Sequence, residues 1–325
     1  MIRTVLALSV FLLISLPGIS QILITGKVLG AKDKLPIAFT NIGILNTEVG
    51  TISEADGSFS IKIPTRYAKS RLLLASLGYK RVNLLVDSIK NTGDLIVYLE
   101  EIATELKPVT VRGKKSFSRF RLGNDKSEGG GIYADTITAG SAMAVLIENN
   151  KNYASLTYPA NVEQARLNIR MNTFKVFKIR IRMYDVDSLT GMPGKDILNK
   201  SIIKDSNIKN GWLTFDLVDD NIVVDGPFYL TFEWILEKKD RRYIHHQFVD
   251  WQQKHPELVT TEDAVVDGQK IQYTNYNSRF WSGTSYGVAV SPEILNLYKC
   301  YYRYNSFGSW NRSASILTAT VVISN

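Results

Sequence analysis

The sequence predicts an all-β protein of two bodies, on three observations. Short runs that alternate apolar and polar residues recur along nearly the whole chain, clusters of turn residues separate them, and no stretch keeps a long helical period. About 300 residues follow the N-terminal segment, enough for two domains that each bury a core of their own.

The chain opens MIRTVLALSVFLLISLPGISQ. Arg3 precedes an apolar run from Val5 to Leu16, and Pro17, Gly18 and Ser20 follow. This has the form of a secretory signal peptide over 1–20, cleaved between Ser20 and Gln21, because the run is shorter than the roughly 20 residues of a spanning helix. No cysteine lies near the cleavage point to carry a lipid anchor, and no later apolar run is long enough to span a bilayer as a helix.

Residues 22–112 read as strands ILITGKVLG, PIAFTNIGI, Phe59 to Ile63, RLLLASLGY, VNLLV, LIVYLE and PVTVR, which predicts an antiparallel sandwich. Its core candidates are Ile24, Val28, Ile37, Ile42, Phe59, Ile61, Leu73, Leu85 and Val97. The stretch GTISEADGSFSIKIP holds Glu54, Asp56 and Gly57 before a strand. Gly57 accepts positive φ and Asp56 can bond neighbouring amides, so the pair predicts a tight turn. Calcium would need six to eight oxygens, and only two carboxylates are present there.

The order T-G-K-V, L-P-I-A-F-T-N-I, G-T-I-S-E-A-D-G-S-F-S-I, L-G-Y-K and L-K-P-V-T-V-R-G resembles the carboxypeptidase-like regulatory domain of Bacteroidota envelope proteins, over 21–113. The resemblance implies a transthyretin-like sandwich, a module that often precedes the plug and barrel of TonB-dependent transporters. A transporter itself is excluded. A barrel of about 22 strands, each of roughly 9 to 11 residues plus loops, does not fit in what remains after residue 131.

Residues 114–131, KKSFSRFRLGNDKSEGGG, read as a linker from their charge and closing glycines. From 132 to 325 alternation is strong. Phe177, Ile179, Ile181 and Met183 face one side with Lys178, Arg180 and Arg182 on the other, and Leu213, Phe215 and Leu217, then Phe228, Leu230, Phe232 and Trp234, continue the pattern. Such strands need a facing sheet, which predicts a larger sandwich of jelly-roll type. This half is similar, less specifically, to β-sandwich regions of uncharacterised Bacteroidota proteins.

The net charge of +8 is uneven. Lys and Arg outnumber Asp and Glu 12 to 9 over 21–113, 5 to 2 over 114–131 and 21 to 20 over 132–325. No basic face interleaved with stacking aromatics accompanies the excess, so no nucleic-acid partner is expected. The single Cys300 cannot close an intrachain disulfide.

Candidate chemistry is sparse. G-T-S-Y-G around Ser285 matches a nucleophile-elbow pattern, but no histidine follows residue 255 to serve as its base, and a hairpin or loop is expected. His245, His246 and His255 with Asp250 are the only histidine group, and adjacent histidines on a strand would point to opposite faces, so a surface loop or strand end is expected rather than a metal site. Asp185, Asp187 and Gly191 form part of a calcium-loop pattern without its third spaced oxygen or closing glutamate, and a Gly- and Pro-containing connection is favoured.

The strongest departure is aromatic. Eleven aromatics lie in the 39 residues from Gln272 to Trp310, against 10% for the whole chain. Some are expected to fill the core, and Trp281, Tyr302, Tyr304 and Trp310 are the candidates for ligand contact, since exposed Tyr and Trp suit sugar rings or a protein partner. No catalytic residue, metal or cofactor is expected. The sequence thus predicts a non-enzymatic exported protein, periplasmic or outer-membrane associated, that binds an envelope protein or glycan; the ending TATVVISN lacks a basic sorting tail. Two alternatives stay open: a glycan hydrolase using loop carboxylates, for which Asp216 and Glu233 would have to converge, and a purely structural envelope component.

Overall fold

The computed structural model describes residues 21–90, 93–102, 118–133, 139–266, 269–275 and 280–325. Residues 1–20, expected to be a signal peptide, the expected strand at 108–112 and Tyr276 lie outside these. Among the described residues the protein is all-β in architecture, with three α-helices.

The first module contains β1 (Gln21–Gly30), β2 (Asn41–Gly43), β3 (Gly50–Ile52), β4 (Ser58–Pro64), β5 (Arg71–Ala75), β6 (Val82–Leu85) and β7 (Asp94–Leu99), with a short α1 (Val86–Ile89) between the last two. A three-stranded sheet, β4-β1-β7, faces a four-stranded one, β3-β2-β5-β6. Ile24, Val28, Ile37, Ile42, Phe59, Ile61 and Val97 are buried between them.

Three expectations are corrected here. β1 and β7 pair in parallel, so the sandwich is not wholly antiparallel. Leu72 and Leu74 fill the core where Leu73 was expected, because a strand written Leu-Leu-Leu carries no alternation to say which face is inward. Leu85 is exposed at the entrance to α1 while Val86 is buried. Asp56 and Gly57 form the turn into β4: the Asp56 carboxylate accepts the Ser58 amide at 3.0 Å and the Ser58 hydroxyl at 2.6 Å, and Gly57 sits at φ +78°.

The second module begins with β8 (Arg119–Asn124), β9 (Gly130–Tyr133), β10 (Ala142–Ile147), β11 (Ala160–Asn172), β12 (Phe177–Val186), β13 (Pro193–Asp196), β14 (Ile202–Ser206), β15 (Gly211–Asp216), β16 (Ile222–Val224) and β17 (Phe228–Ile235). After α2 (Lys238–Lys254) come the hairpin β18 (Thr260–Val266) and β19 (Gln269–Asn275), β20 (Thr284–Ala289), α3 (Pro292–Leu297), β21 (Cys300–Arg303), β22 (Asn311–Arg312), β23 (Ile316–Leu317) and β24 (Ala319–Ser324). A seven-stranded sheet runs β13-β12-β17-β10-β21-β22 with β14 also on β12. It packs against an eight-stranded sheet, β23-β20-β11-β24-β8, which β9, β15 and β16 extend. Phe177, Ile179, Ile181 and Met183 face the shared core, as their alternation predicts.

Three further expectations change. The stretch read as a linker contributes β8 and the start of β9: Phe120 and Leu122 are buried while Arg119 and Arg121 point out, and β8 pairs with β24 near the C-terminus. The histidine region is not a loop or strand end, because residues 238–254 form a helix whose Ile244 is buried and whose His245 and His246 are exposed. Ser285 lies in β20 and is buried, so the G-T-S-Y-G segment is a core strand entered through Gly283 at φ +113°, not a loop.

Candidate functional site

Lys178, Arg180 and Arg182 alternate with core residues on β12 and lie on the far face of the seven-stranded sheet. Arg180 is opposite Glu233 of β17 in the ladder, and its Nη1 donates to Glu233 Oε1 at 2.9 Å. Both side chains are buried, because the first module covers them. The same Nη1 donates to Asn41 Oδ1 at 2.8 Å and Nη2 donates to the Phe39 carbonyl. Arg303 of β21 adds a second cation 3.7 Å from Glu233 Oε2. Around this polar centre Phe39 and Ile52 meet Ala139 and Ile235.

Two more contacts close the seam. Both Glu54 carboxylate oxygens accept the Lys238 amide at the start of α2, at 3.0 and 2.9 Å, and Arg241 bridges to the same group at 2.8 Å. Asn305 donates to the Thr47 carbonyl at 2.9 Å and the Asn46 amide donates to Phe307 at 2.9 Å. Gly50 permits this approach, since a Cβ there would lie 2.5 Å from the Asn305 side chain.

At the rim of the seam is a groove of about 290 Å³ to which both modules contribute. Asn46 comes from the first, and Asp187, Met192, Pro193, Ser309 and Trp310 from the second. Trp310 is half-buried. Its ring lies edge-on to Tyr184 at 5.8 Å, and the Arg303 guanidinium sits 4.4 Å from its centroid. A cation over an indole face fixes the ring. The same Arg303 that approaches Glu233 in the seam therefore holds the groove wall.

The other three aromatic candidates are placed elsewhere. Tyr302 leans against the main core and meets Tyr304 edge-on at 5.5 Å, and Tyr304 is exposed. Trp281 is half-buried ahead of β20, in the other sheet. The four do not line one face. Much of the aromatic cluster is core: Tyr286 stacks on Trp234 at 3.7 Å, and Tyr298 donates to the Gly123 carbonyl at 3.0 Å. Burial raises the Tyr286 hydroxyl far above its ordinary range, with Glu233 adding to the effect.

The carboxylates needed for a hydrolase do not converge. Glu233 is sealed against Arg180 on the outer face of one sheet, whereas Asp216 is exposed on the outer face of the other. Packed sheets lie about 10 Å apart, and these groups point away from each other across that thickness. Asp187 accepts the amides of Leu189 and Thr190 and the Thr190 hydroxyl, and Asp185 accepts the Lys195 amide, so both carboxylates shape the turn. The Thr190 hydroxyl, chiefly, holds Asp187 below the usual carboxylate range. Among the described residues no three His, Cys, Asp or Glu side chains cluster as a metal site, and no helix is long and apolar enough to cross a membrane.

The seam escaped the sequence reading, although Arg180 and Glu233 both sat on the polar side of their strands. Their being a buried pair has a signal only once the β12–β17 register is known.

These features define a class: a two-module β-sandwich protein whose smaller module is seated on the larger one. Residues 24–111 match the family model described as the CarboxypepD_reg-like domain, a non-catalytic module, so the first sandwich is a domain of that kind. The match ends before the second sandwich begins. No curated protein matches the chain. Among solved structures, those of the infectious bursal disease virus Gt strain and of the infectious bursal disease virus VP2 subviral particle are similar at 9% and 10% identity. Each comparison covers 93% of this chain but 63% of the viral one, at a TM-score of 0.18, so this chain spans less than two thirds of those proteins and the likeness bears on neither fold nor function.

Proposed function

We propose that this chain is an exported, non-enzymatic cell-envelope protein that binds a glycan or protein ligand at the junction of its two modules. The observation that carries the reading is the Trp310 groove, an indole wall braced by Arg303 and Tyr184 at a place where both modules supply the lining. A half-exposed, immobilised Trp beside Met192 and Pro193 offers flat apolar area at small entropic cost, and Asn46 and Ser309 add polar groups at the edge. The regulatory-like module acts here as part of the binding unit. Export to the periplasm or the outer-membrane face follows from the form of residues 1–20, and the first module's resemblance to transporter-associated domains supports an envelope setting.

The test is retention of the mature chain on a glycan panel and on immobilised envelope extract, beside Trp310→Ala and Trp281→Ala. Loss of retention in Trp310→Ala alone supports the groove. Equal retention by both variants and the parent removes it. Fractionation of cells expressing the whole chain tests export, and retention of the uncleaved protein in the cytoplasm refutes it.

A further inference from the structure

We propose that the outer face of the eight-stranded sheet is a second binding site, for an acidic saccharide whose anionic group sits between Arg121 and Arg166. This face lies on the opposite side of the sandwich from the Trp310 groove and does not depend on it. It carries an open basin of about 690 Å³.

The ladder builds its floor. Arg121 of β8 is opposite Val322 of β24, Val322 is opposite Gln164 of β11, and Gln164 is opposite Asp216 of β15. These four residues make one row, about 14 Å long at roughly 4.8 Å per strand. Arg166 stands one pleat further along β11, its guanidinium 4.5 Å from the centroid of Trp212.

The charges of this face, those lining the basin and Arg166 beside it, sort into pairs and a remainder. Arg119 bridges Glu163 at 2.7 Å and Lys151 approaches Asp125 at 3.9 Å. Arg121 and Arg166 form no ion pair among the described residues. Arg166 stands within the field of Arg121 instead: burial, and then the charge of Arg121, lower the affinity of Arg166 for its proton. Two like charges on one sheet face oppose folding, and an anion between them relieves the repulsion. Guanidinium groups grip carboxylate or sulfate through paired N–H donors, and the stack on Trp212 holds one of them in place beforehand.

The remaining groups favour a sugar over other anions. Asp216 and Gln164 accept hydrogen bonds from hydroxyls, which a saccharide has in number, and Tyr153 packed on Phe120 at 5.3 Å offers an apolar wall for a ring face. A phosphate-studded membrane or nucleic acid offers far fewer hydroxyl donors to Asp216 and Gln164 than a saccharide does.

The test is affinity electrophoresis and calorimetry of the mature chain with polygalacturonate, dextran sulfate, neutral dextran, inorganic sulfate and phosphatidylglycerol vesicles at physiological salt. Binding to an acidic polysaccharide and not to dextran is expected. Arg121→Gln should weaken it about tenfold, Arg121→Gln with Arg166→Gln should abolish it, and Lys62→Gln, which removes an exposed cation of the first module, should leave it unchanged, with thermal unfolding showing that each variant is folded. Asp216→Asn separates recognition from general attraction. It raises the positive charge, so weaker binding supports the site and stronger binding overturns it. No binding to either acidic polysaccharide, equal binding to vesicles or sulfate alone, or an unaffected folded Arg121→Gln also overturns it.

Discussion

Arg180 and Glu233 lie 2.9 Å apart, 3% and 0% exposed, on neighbouring strands of the larger sandwich, yet the roof over them belongs to the smaller one. Arg180 also donates from Nη1 to Asn41 and from Nη2 to the Phe39 carbonyl, so one guanidinium ties a strand pair to another module. Removing Glu233 leaves the buried Arg180 guanidinium uncompensated, and removing Arg180 leaves the buried Glu233 carboxylate only the more distant Arg303, at 3.7 Å. Arg180→Met or Glu233→Gln should each cost about 3–5 kcal/mol in urea unfolding of residues 21–325. The double variant Arg180→Met/Glu233→Met should lose less than the two added together; strict additivity would mean the pair is not coupled.

Glu54 accepts the Lys238 amide and pairs with Arg241, so a carboxylate of the first module sits at the N-terminus of α2. Negative charge and acceptors at that end satisfy amides that have no partner within the helix. Glu54→Ala should destabilise by roughly 0.5–2 kcal/mol and speed hydrogen exchange in the first turn of α2. Unchanged exchange at residues 238–241 would show that the contact contributes nothing.

Lys178 and Glu237 are joined at 2.9 Å. Burial works against both charges, but the bonds from Lys178 and Lys239 outweigh it and hold the Glu237 carboxyl below its usual range. For Lys178 burial is likewise outweighed, by Glu237 and Asp205, and its ammonium is held above its usual range. A depressed carboxylate contributes stability above its unfolded value, near pH 4.3, and loses it as pH falls through the folded value. A raised ammonium contributes below its unfolded value, near pH 10.4, and loses it as pH rises through the folded one. Melting temperature followed from pH 3 to 6 should fall less steeply on the acid side in Lys178→Met than in the parent; parallel curves would contradict the linkage.

Cys300 faces the main core, and burial pushes its thiol up to about 12. The thiolate is the reactive form. A disulfide reagent at pH 8 should leave the folded chain unlabelled and react in denaturant, with labelling that tracks unfolding. Rapid modification of the native protein would place the thiol outside the core.

Alternation along strands such as Phe177 to Met183 made the core face of the larger sandwich legible, and the Asp56-Gly57 pair made its turn legible, because both signals are local. The homopolymeric Leu72 to Leu74 run was not legible, since every residue suits either face. The helix over 238–254 was missed for a related reason. It buries little beyond Ile244 and Asp240, so no strong apolar period marks it. Basic composition masked β8, where two arginines flank the inward Phe120 and Leu122.

Residue order alone therefore settled the all-β class, the regulatory-like first module and most of each core, since period-two alternation and turn chemistry act between near neighbours. Only the folded chain decided that Arg180 meets Glu233 under Asn41, that Asp216 stands apart from Glu233, and that Arg303 braces Trp310. Arg180 is 53 positions from Glu233 and 139 from Asn41, and strand register and the seating of one sandwich on the other, which no local pattern encodes, bring them together.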